Sequence, residues 1–275
     1  MIHTRDTDPH PDAVLTISQR ARAAPWRLNL AHSRPYHMLI WVTRGAARCM
    51  IEGRSYALSS HNAVFIPAGT LFGFSWESSC FGQTVALAPS VRLDWPDSPL
   101  LLRVREPKAQ LVLTHYIESI QSEANNEEEM SQIATSAHAQ LMMVWAHRYQ
   151  KQIERETAAR RLMRALSALI VQSETAPVGG DTMAHFAAKL GVTPTHLTRV
   201  CKSECGVTAA DLLTQHTLQR ARRFLEDDGL KAVDIAKRLG FSTPAYFTRF
   251  IKTHTGETPS SLRALAKAAR LSSAA

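Results

Sequence analysis

The stretch LTRVCKSECGVTAADL (197–212) returns fifty positions later as FTRFIKTHTGETPSSL (247–262). Six residues recur in register: Thr198/Thr248, Arg199/Arg249, Lys202/Lys252, Gly206/Gly256, Thr208/Thr258 and Leu212/Leu262. Apolar residues fill Leu197/Phe247 and Val200/Phe250. A unit used twice in one chain must fold twice in the same way, so this region is constrained to two like substructures.

The likeness extends upstream. AAKLGVTPTHLTRV (187–200) faces AKRLGFSTPAYFTRF (236–250), and one extra residue, in FST, shifts the offset from 49 to 50. Each unit reads as a short helix, a glycine corner at Gly191 or Gly240, and a second helix. Glycine takes the positive φ that a sharp helix–helix corner needs. The small Ala187 and Ala236 let the two helices approach. Thr193-Pro194 and Thr243-Pro244 give an N-cap followed by proline at the first helical position. Helical spacing then turns Leu197, Val200, Phe247 and Phe250 into the corner. It leaves Thr195, Thr198, Arg199 and Lys202 outside, matched by Ala245, Thr248, Arg249 and Lys252. This is a doubled helix-turn-helix, in which the second helix of each pair enters a DNA major groove.

The connection fits. Gly206 ends the first of these helices, and Thr208 with Asp211 approximates a capping box, with Val207 placed to staple against Leu212. A helix from there to Asp227 would be about 28 Å long at 1.5 Å per residue. Successive major grooves on one DNA face lie about 34 Å apart, so a rigid helix of this length suits two groove readers.

Residues 181–268 resemble the DNA-binding domain of the AraC/XylS family of bacterial transcription regulators. The segment DIAKRLGFSTPAYFTRFIKTHTGETPSSLR (234–263) carries the likeness. The resemblance implies double-stranded DNA as partner. It implies base contacts from Thr195, Thr198 and Arg199, and from Pro244, Ala245, Tyr246 and Arg249, with Thr243 at the cap beside them. Lys202 and Lys252 are expected at phosphates rather than bases. Cys201 stands where the family has an aromatic residue, and Thr217 where it has arginine. Pro244 and Ala245 offer no side-chain hydrogen bond, so the second helix would rely on Arg249 and apolar contact with thymine methyls.

Ahead of the repeat the texture is different. Apolar stretches in YHMLIWVTRGAARCMIEGRSYAL (36–58) are broken at Gly45 and by EGR, a hairpin turn. NAVFIPAGTLFGFSW and CFGQTVALAP add further strands, which together read as a sandwich or barrel. This stretch resembles the cupin-like arm carried in front of many domains of the same family. A small barrel can enclose one ligand, so a small-molecule effector is expected. The candidate lining is Trp26, His32, Arg34, His37, Trp41, Phe72, Phe74 and Trp76, with Trp95 a candidate lid or interdomain contact. No metal is expected. His32 and His37 lie five apart with no His-x-His pair, and Phe72 follows PAGTL where metal-binding cupins often have histidine. No phosphate loop or nucleophile elbow appears.

Near Glu106-Pro107 the pattern turns helical. Ala109, Leu113, Tyr116, Ile117 and Ile120 share one face. NNEEEM separates the next helix, on which Met130, Ala134, Ala137, Leu141, Val144 and Arg148 recur at three- and four-residue steps, widened by Ile133, Met142 and Trp145. Such a stripe is either core or a dimer seam, with core slightly favoured. A charged helical linker is expected over 148–164. Leu162, Leu166, Leu169 and Ile170 mark a further helix over 158–173.

Charge follows the same division. The formal net charge is +8, and residues 175–275 hold 14 Lys and Arg against 8 Asp and Glu. A basic excess beside the repeat agrees with a polyanion partner. Four cysteines in 275 residues make no disulfide framework, and Cys201 with Cys205 has no His or Cys partner for zinc. No run of about 20 apolar residues predicts a membrane span. The polar start MIHTRDTDPHPDA lacks a secretory core, so a cytoplasmic location is expected.

The expected fold class is α+β: an N-terminal cupin-like β-barrel, then helices, then an all-α domain of two helix-turn-helix motifs joined by a linker helix. The boundaries drawn are 13–106 for the sensing domain, 107–156 for a dimerising connector and 157–270 for the DNA-binding part. The function expected is a dimeric, non-enzymatic transcription regulator without cofactor, meeting RNA polymerase at promoters. Two other readings stand beside it: a ligand-independent regulator whose front half only dimerises, and a metal-dependent cupin enzyme fused to a DNA-binding module.

Overall fold

The computed structural model describes residues 14–21, 24–89, 98–125, 128–150, 156–173, 182–227 and 229–273. Trp95 and residues 151–155 of the expected linker between Arg148 and Arg164 lie outside them, while 158–164 form the start of a helix.

The front part opens with β1 (Val14–Thr16), α1 (Ile17–Ala21) and α2 (Trp26–Asn29). Seven strands follow: β2 (His37–Arg44), β3 (Ala46–Ile51), β4 (Arg54–Ser59), β5 (Asn62–Ile66), β6 (Phe72–Trp76), β7 (Phe81–Leu87) and β8 (Leu100–Arg103). They form two hydrogen-bonded antiparallel sheets, ordered β1-β7-β2-β5-β8 and β4-β3-β6. Strand side chains alternate between faces. Met38, Ile40 and Val42 of β2 therefore point between the sheets, meeting Cys49, Ile51, Val64, Phe72 and Phe74. Leu39 and Trp41 point the other way, with Ala63, Phe65, Val85 and Leu87. Both faces of the large sheet are covered, so β2 and β5 read as unbroken apolar runs rather than alternating ones. Glu52 and Gly53, at φ 49° and 72°, make the hairpin turn of EGR, a left-handed pair that matches strand twist.

The outer face is covered by α3 (Pro107–Asn125) and α4 (Ser131–Tyr149). On α3 the expected residues Ala109, Leu113, Ile117 and Ile120 are buried. On α4 the stripe read from sequence turns outward. Thr135, Ala139, Met142, Met143 and Ala146 face the core, whereas Met130, Ile133, Leu141 and Val144 are exposed. Small and methionine side chains fill the seam against α3, leaving the larger aliphatic residues to the surface. The core reading of that stripe is thus corrected except at its widening residues Met142, which is buried, and Trp145, which packs against the core.

Next come α5 (Ala158–Gln172), α6 (Met183–Lys189), α7 (Pro194–Cys205), α8 (Ala209–Leu225), α9 (Ala232–Arg238), α10 (Pro244–Thr255) and α11 (Pro259–Ser273). Each motif has its own small core. Phe186, Ala187, Leu197, Val200, Cys201 and Leu212 form the first, joined by Met163, Leu166 and Ile170 of α5. Leu218, Leu225, Ile235, Ala236, Phe247 and Ile251 form the second.

Candidate nucleic-acid interface

The same local chemistry builds both motifs. Gly191 and Gly240 turn the corners at φ 66° and 82°. The Thr193 hydroxyl accepts from the His196 N–H at 3.2 Å and the Thr243 hydroxyl from the Tyr246 N–H at 3.3 Å, with Pro194 and Pro244 following as first helical residues. Gly206 and Gly256 end α7 and α10 in left-handed conformation, each donating its N–H back to Lys202 or Lys252. Leu197 and Phe247 are fully buried at the corners. Phe250 is half-buried, in contact with Phe241 at a ring separation of 5.2 Å.

What remains faces out. On α7, Thr195, Arg199 and Lys202 are exposed and Thr198 is half-buried. On α10, Pro244, Ala245, Tyr246, Thr248, Arg249 and Lys252 are all exposed, as is Thr243 before them. Tyr246, 60% exposed, belongs to this outer surface and not to the core. Arg249 stands between two open hollows of about 640 and 580 Å³, the first lined by Phe241, Tyr246, Phe250 and His254, the second by Ala245, Thr248 and Lys252. A guanidinium so placed can pivot toward either side. Arg199 is steadied differently: its Nη2 donates to His196 Nδ1 at 3.1 Å, a partner the sequence reading did not single out.

The connecting helix holds its start by reciprocal bonds between Thr208 and Asp211. Cys201 is a buried free thiol whose pKa is pushed up to about 12 by burial and by Cys205. It donates to Met163 Sδ at 3.5 Å, so it packs α7 on α5 where the family's aromatic residue would stand. Among the described residues no group of three or more His, Cys, Asp or Glu could hold a metal ion.

The eight front-half candidates do not converge on one site, although the His32 and Phe72 rings meet at 4.3 Å. Phe72 and Phe74 lie between the sheets with Trp76 packed against them. Trp41 is on the opposite face, under α3 and α4, because it sits one residue out of phase with Ile40. His37 is half-buried, and its Nδ1 accepts from the Ala68 N–H at 3.1 Å. Burial lowers its pKa. Trp26, His32 and Arg34 lie at the boundary with the helical part: the Arg222 guanidinium covers Trp26 at 5.0–5.3 Å alongside that of Arg27, and His32 is held well below its usual pKa by burial and by Arg34. Sequence reasoning missed Arg27 and Glu226, which pair across this boundary. Nothing local marks two residues so far apart in the chain.

Two outward helices, each cornered by glycine and armed with Arg and Lys, behind a two-sheet β domain define a double helix-turn-helix protein with an appended front domain. Residues 18–186 match the AraC-like ligand binding domain and residues 186–265 match a helix-turn-helix domain. The chain belongs to the AraC family. It is 37% identical over 102 residues to the HTH-type transcriptional regulator GlxA of Rhizobium meliloti, a match covering 36% of this chain and 31% of that protein. It is 35% identical over 83 residues to the probable transcription factor PqrA of Proteus vulgaris, covering 30% and 66%. The chain therefore spans about a third to two thirds of the length of these relatives. Among solved structures, apo ToxT from Vibrio cholerae aligns over 86% of this chain and 91% of its own, at 15% identity and TM-score 0.44. The C-terminal domain of AraT, a response regulator from Geobacillus stearothermophilus, aligns over 41% and 88%, at 28% identity and TM-score 0.35.

Proposed function

We infer that this chain is a sequence-specific DNA-binding transcription regulator that uses two helix-turn-helix motifs on promoter DNA. The observation that carries the reading is the matched outward set on α7 and α10, each helix N-capped and each with Arg one turn before Lys. In this reading Arg199 and Arg249 approach base edges in successive major grooves, where arginine pairs bidentately with guanine. Thr195, Thr198 and Tyr246 add polar contacts, and Pro244 and Ala245 apolar ones. Lys202, Lys252 and Thr243 with the helix N-termini hold phosphates. His196 fixes one face of the Arg199 fork, leaving the rest free for a base.

The protein works as a homodimer, meets RNA polymerase at the promoter, performs no catalysis and acts in the cytoplasm. Support for a second copy is the outward stripe of Ile133, Ala137, Leu141, Val144 and Arg148 on α4, which repeats at the three- and four-residue steps of a helix-pairing seam. No helix among the described residues is long and apolar enough to cross a membrane.

A small-molecule effector would act between the sheets, at Phe72, Phe74 and Trp76. A specific observation favours the ligand-independent alternative: Phe72 and Phe74 are at most 1% exposed and packed by Cys49, Ile51 and Val64, so a ligand there must displace them.

The test is retention of genomic DNA fragments by the purified protein at about 0.15 M salt, which suppresses non-specific binding. A few enriched sites with paired half-sites support the reading. Uniform retention of all fragments contradicts base reading.

A further inference from the structure

We propose that the tripeptide Leu30-Ala31-His32 couples the front domain to both motifs, so that the packing between the sheets sets how α7 and α10 stand relative to each other. This rests on the DNA-binding reading above and adds its regulation.

The three residues belong to three different packing units. Leu30 packs against the second motif's core. Ala31 is fully buried in the first motif's core, beside Leu71 of the front domain. His32 is tied to β6: its N–H donates to the Phe72 carbonyl at 2.9 Å, and the Phe72 N–H donates back at 2.8 Å. The two rings lie 4.3 Å apart. His32 Nδ1 also donates to the Leu30 carbonyl at 2.6 Å, closing the segment on itself. Consecutive Cα atoms are about 3.8 Å apart, so the three contacts lie within two peptide spans of one another. A shift of β6 must repack one of the two helical cores, and packed cores move between discrete arrangements rather than stretching.

A clasp beside the segment fixes the second motif. Arg27 forms an ion pair with Glu226, the C-cap of α8, with side chains only 12% and 6% exposed. The Arg222 guanidinium lies over Trp26 at 5.3 Å, and Arg34 Nη2 donates to the Arg27 carbonyl at 2.9 Å. The front domain thereby grips the end of the helix from which the second motif departs.

The first motif is gripped elsewhere. The β3–β4 turn presses on α5, where a Cβ on Gly53 would lie 2.2 Å from Met163 Cε, and Arg160 Nη2 donates to the Tyr56 hydroxyl at 3.2 Å. Each motif has its own anchor on one β domain, and the tripeptide lies between them. Coupling of this kind needs a contiguous element that both sites bias.

The experiment is site-resolved amide exchange on the full chain without DNA, comparing the natural sequence with Glu226→Gln and Trp26→Leu. Glu226→Gln removes an ion-pair partner of the partly buried Arg27, and Trp26→Leu loosens the clasp while keeping every charge, which serves if the first variant does not fold. The expected result is exchange at the His32 and Phe72 amides faster by about fivefold or more, the lower end of ordinary coupling between sites, with the β2–β5 amides of Ile40 and Val64 unchanged. In a DNA arm, inserting one base pair between half-sites should penalise the natural chain more than the variants. Unchanged exchange at His32 and Phe72 in the folded variants overturns the proposal. The exchange arm uses no DNA, so a chain that enriches no sites would remove the DNA-binding reading and still leave the coupling decided.

Discussion

Thr208 and Asp211 close a reciprocal box at the start of the connecting helix. Asp211 Oδ2 accepts from the Thr208 N–H at 3.0 Å and from its hydroxyl at 2.6 Å, while the Thr208 hydroxyl accepts from the Asp211 N–H at 3.0 Å. Two otherwise orphaned backbone donors are satisfied at once. Thr208→Ala is expected to lower unfolding stability by about 1 kcal/mol, measured by urea denaturation. The Thr208 hydrogen bonds hold the Asp211 pKa below its usual value. The box is therefore intact above the ordinary aspartate range and weakens as pH falls through the lowered pKa.

Arg249→Ala should weaken binding to an enriched site by about 1–3 kcal/mol and relax one base preference. Lys252→Ala should weaken specific and random DNA alike and reduce the salt slope by about one. Titrations at several salt concentrations separate the two. Equal loss on both DNAs for Arg249→Ala would move that residue to the phosphates.

Gly82→Ala should be far more damaging than its half-buried position near the start of β7 suggests. A Cβ there would lie 2.2 Å from the Trp41 carbonyl oxygen and 2.8 Å from Ile17 Cδ1. Backbone cannot yield as a side-chain tip can, so a loss of about 3 kcal/mol is expected. A near-neutral thermal melt would refute that close approach.

Two buried histidines set the acid limit. His216 is pulled down to about 3 by burial and by Arg220, and burial with Arg34 lowers His32. Both are neutral when folded, whereas the unfolded chain takes up protons near the ordinary histidine value of 6.5. Their contribution is therefore intact above pH 6.5. It is lost progressively as pH falls below that toward the lowered folded-state values, by roughly 1 kcal/mol per histidine per pH unit at most. Stability measured from pH 7.5 to 5 should drop, and His216→Gln should flatten the slope.

Leu141→Glu with Val144→Glu should leave the fold unchanged, since both residues are exposed, and should convert a dimer to monomers in sedimentation equilibrium. An unaltered mass would move the seam away from α4.

The sequence by itself carried the helical part to near completion. Glycine corners, threonine caps and the Thr208–Asp211 box act within a few residues, so their structural meaning is local and survives without knowledge of the rest of the chain. Repetition at a fixed offset then separated signal from chance. The front half was legible as strands and as a hairpin at Glu52-Gly53, but its faces were not: Trp41 and Phe72 look alike in sequence, and only strand phase sends one under α3 and the other between the sheets. On α4 the periodicity was real, yet periodicity does not say which of two stripes faces inward. That was decided by the small and flexible side chains Ala139, Met142, Met143 and Ala146 fitting α3. The meeting of Arg27 with Glu226, and the placing of Leu30, Ala31 and His32 in three packing units, belong to the tertiary structure alone. They join residues whose local sequence carries no trace of the partner, because burial and charge pairing act through space and not along the chain.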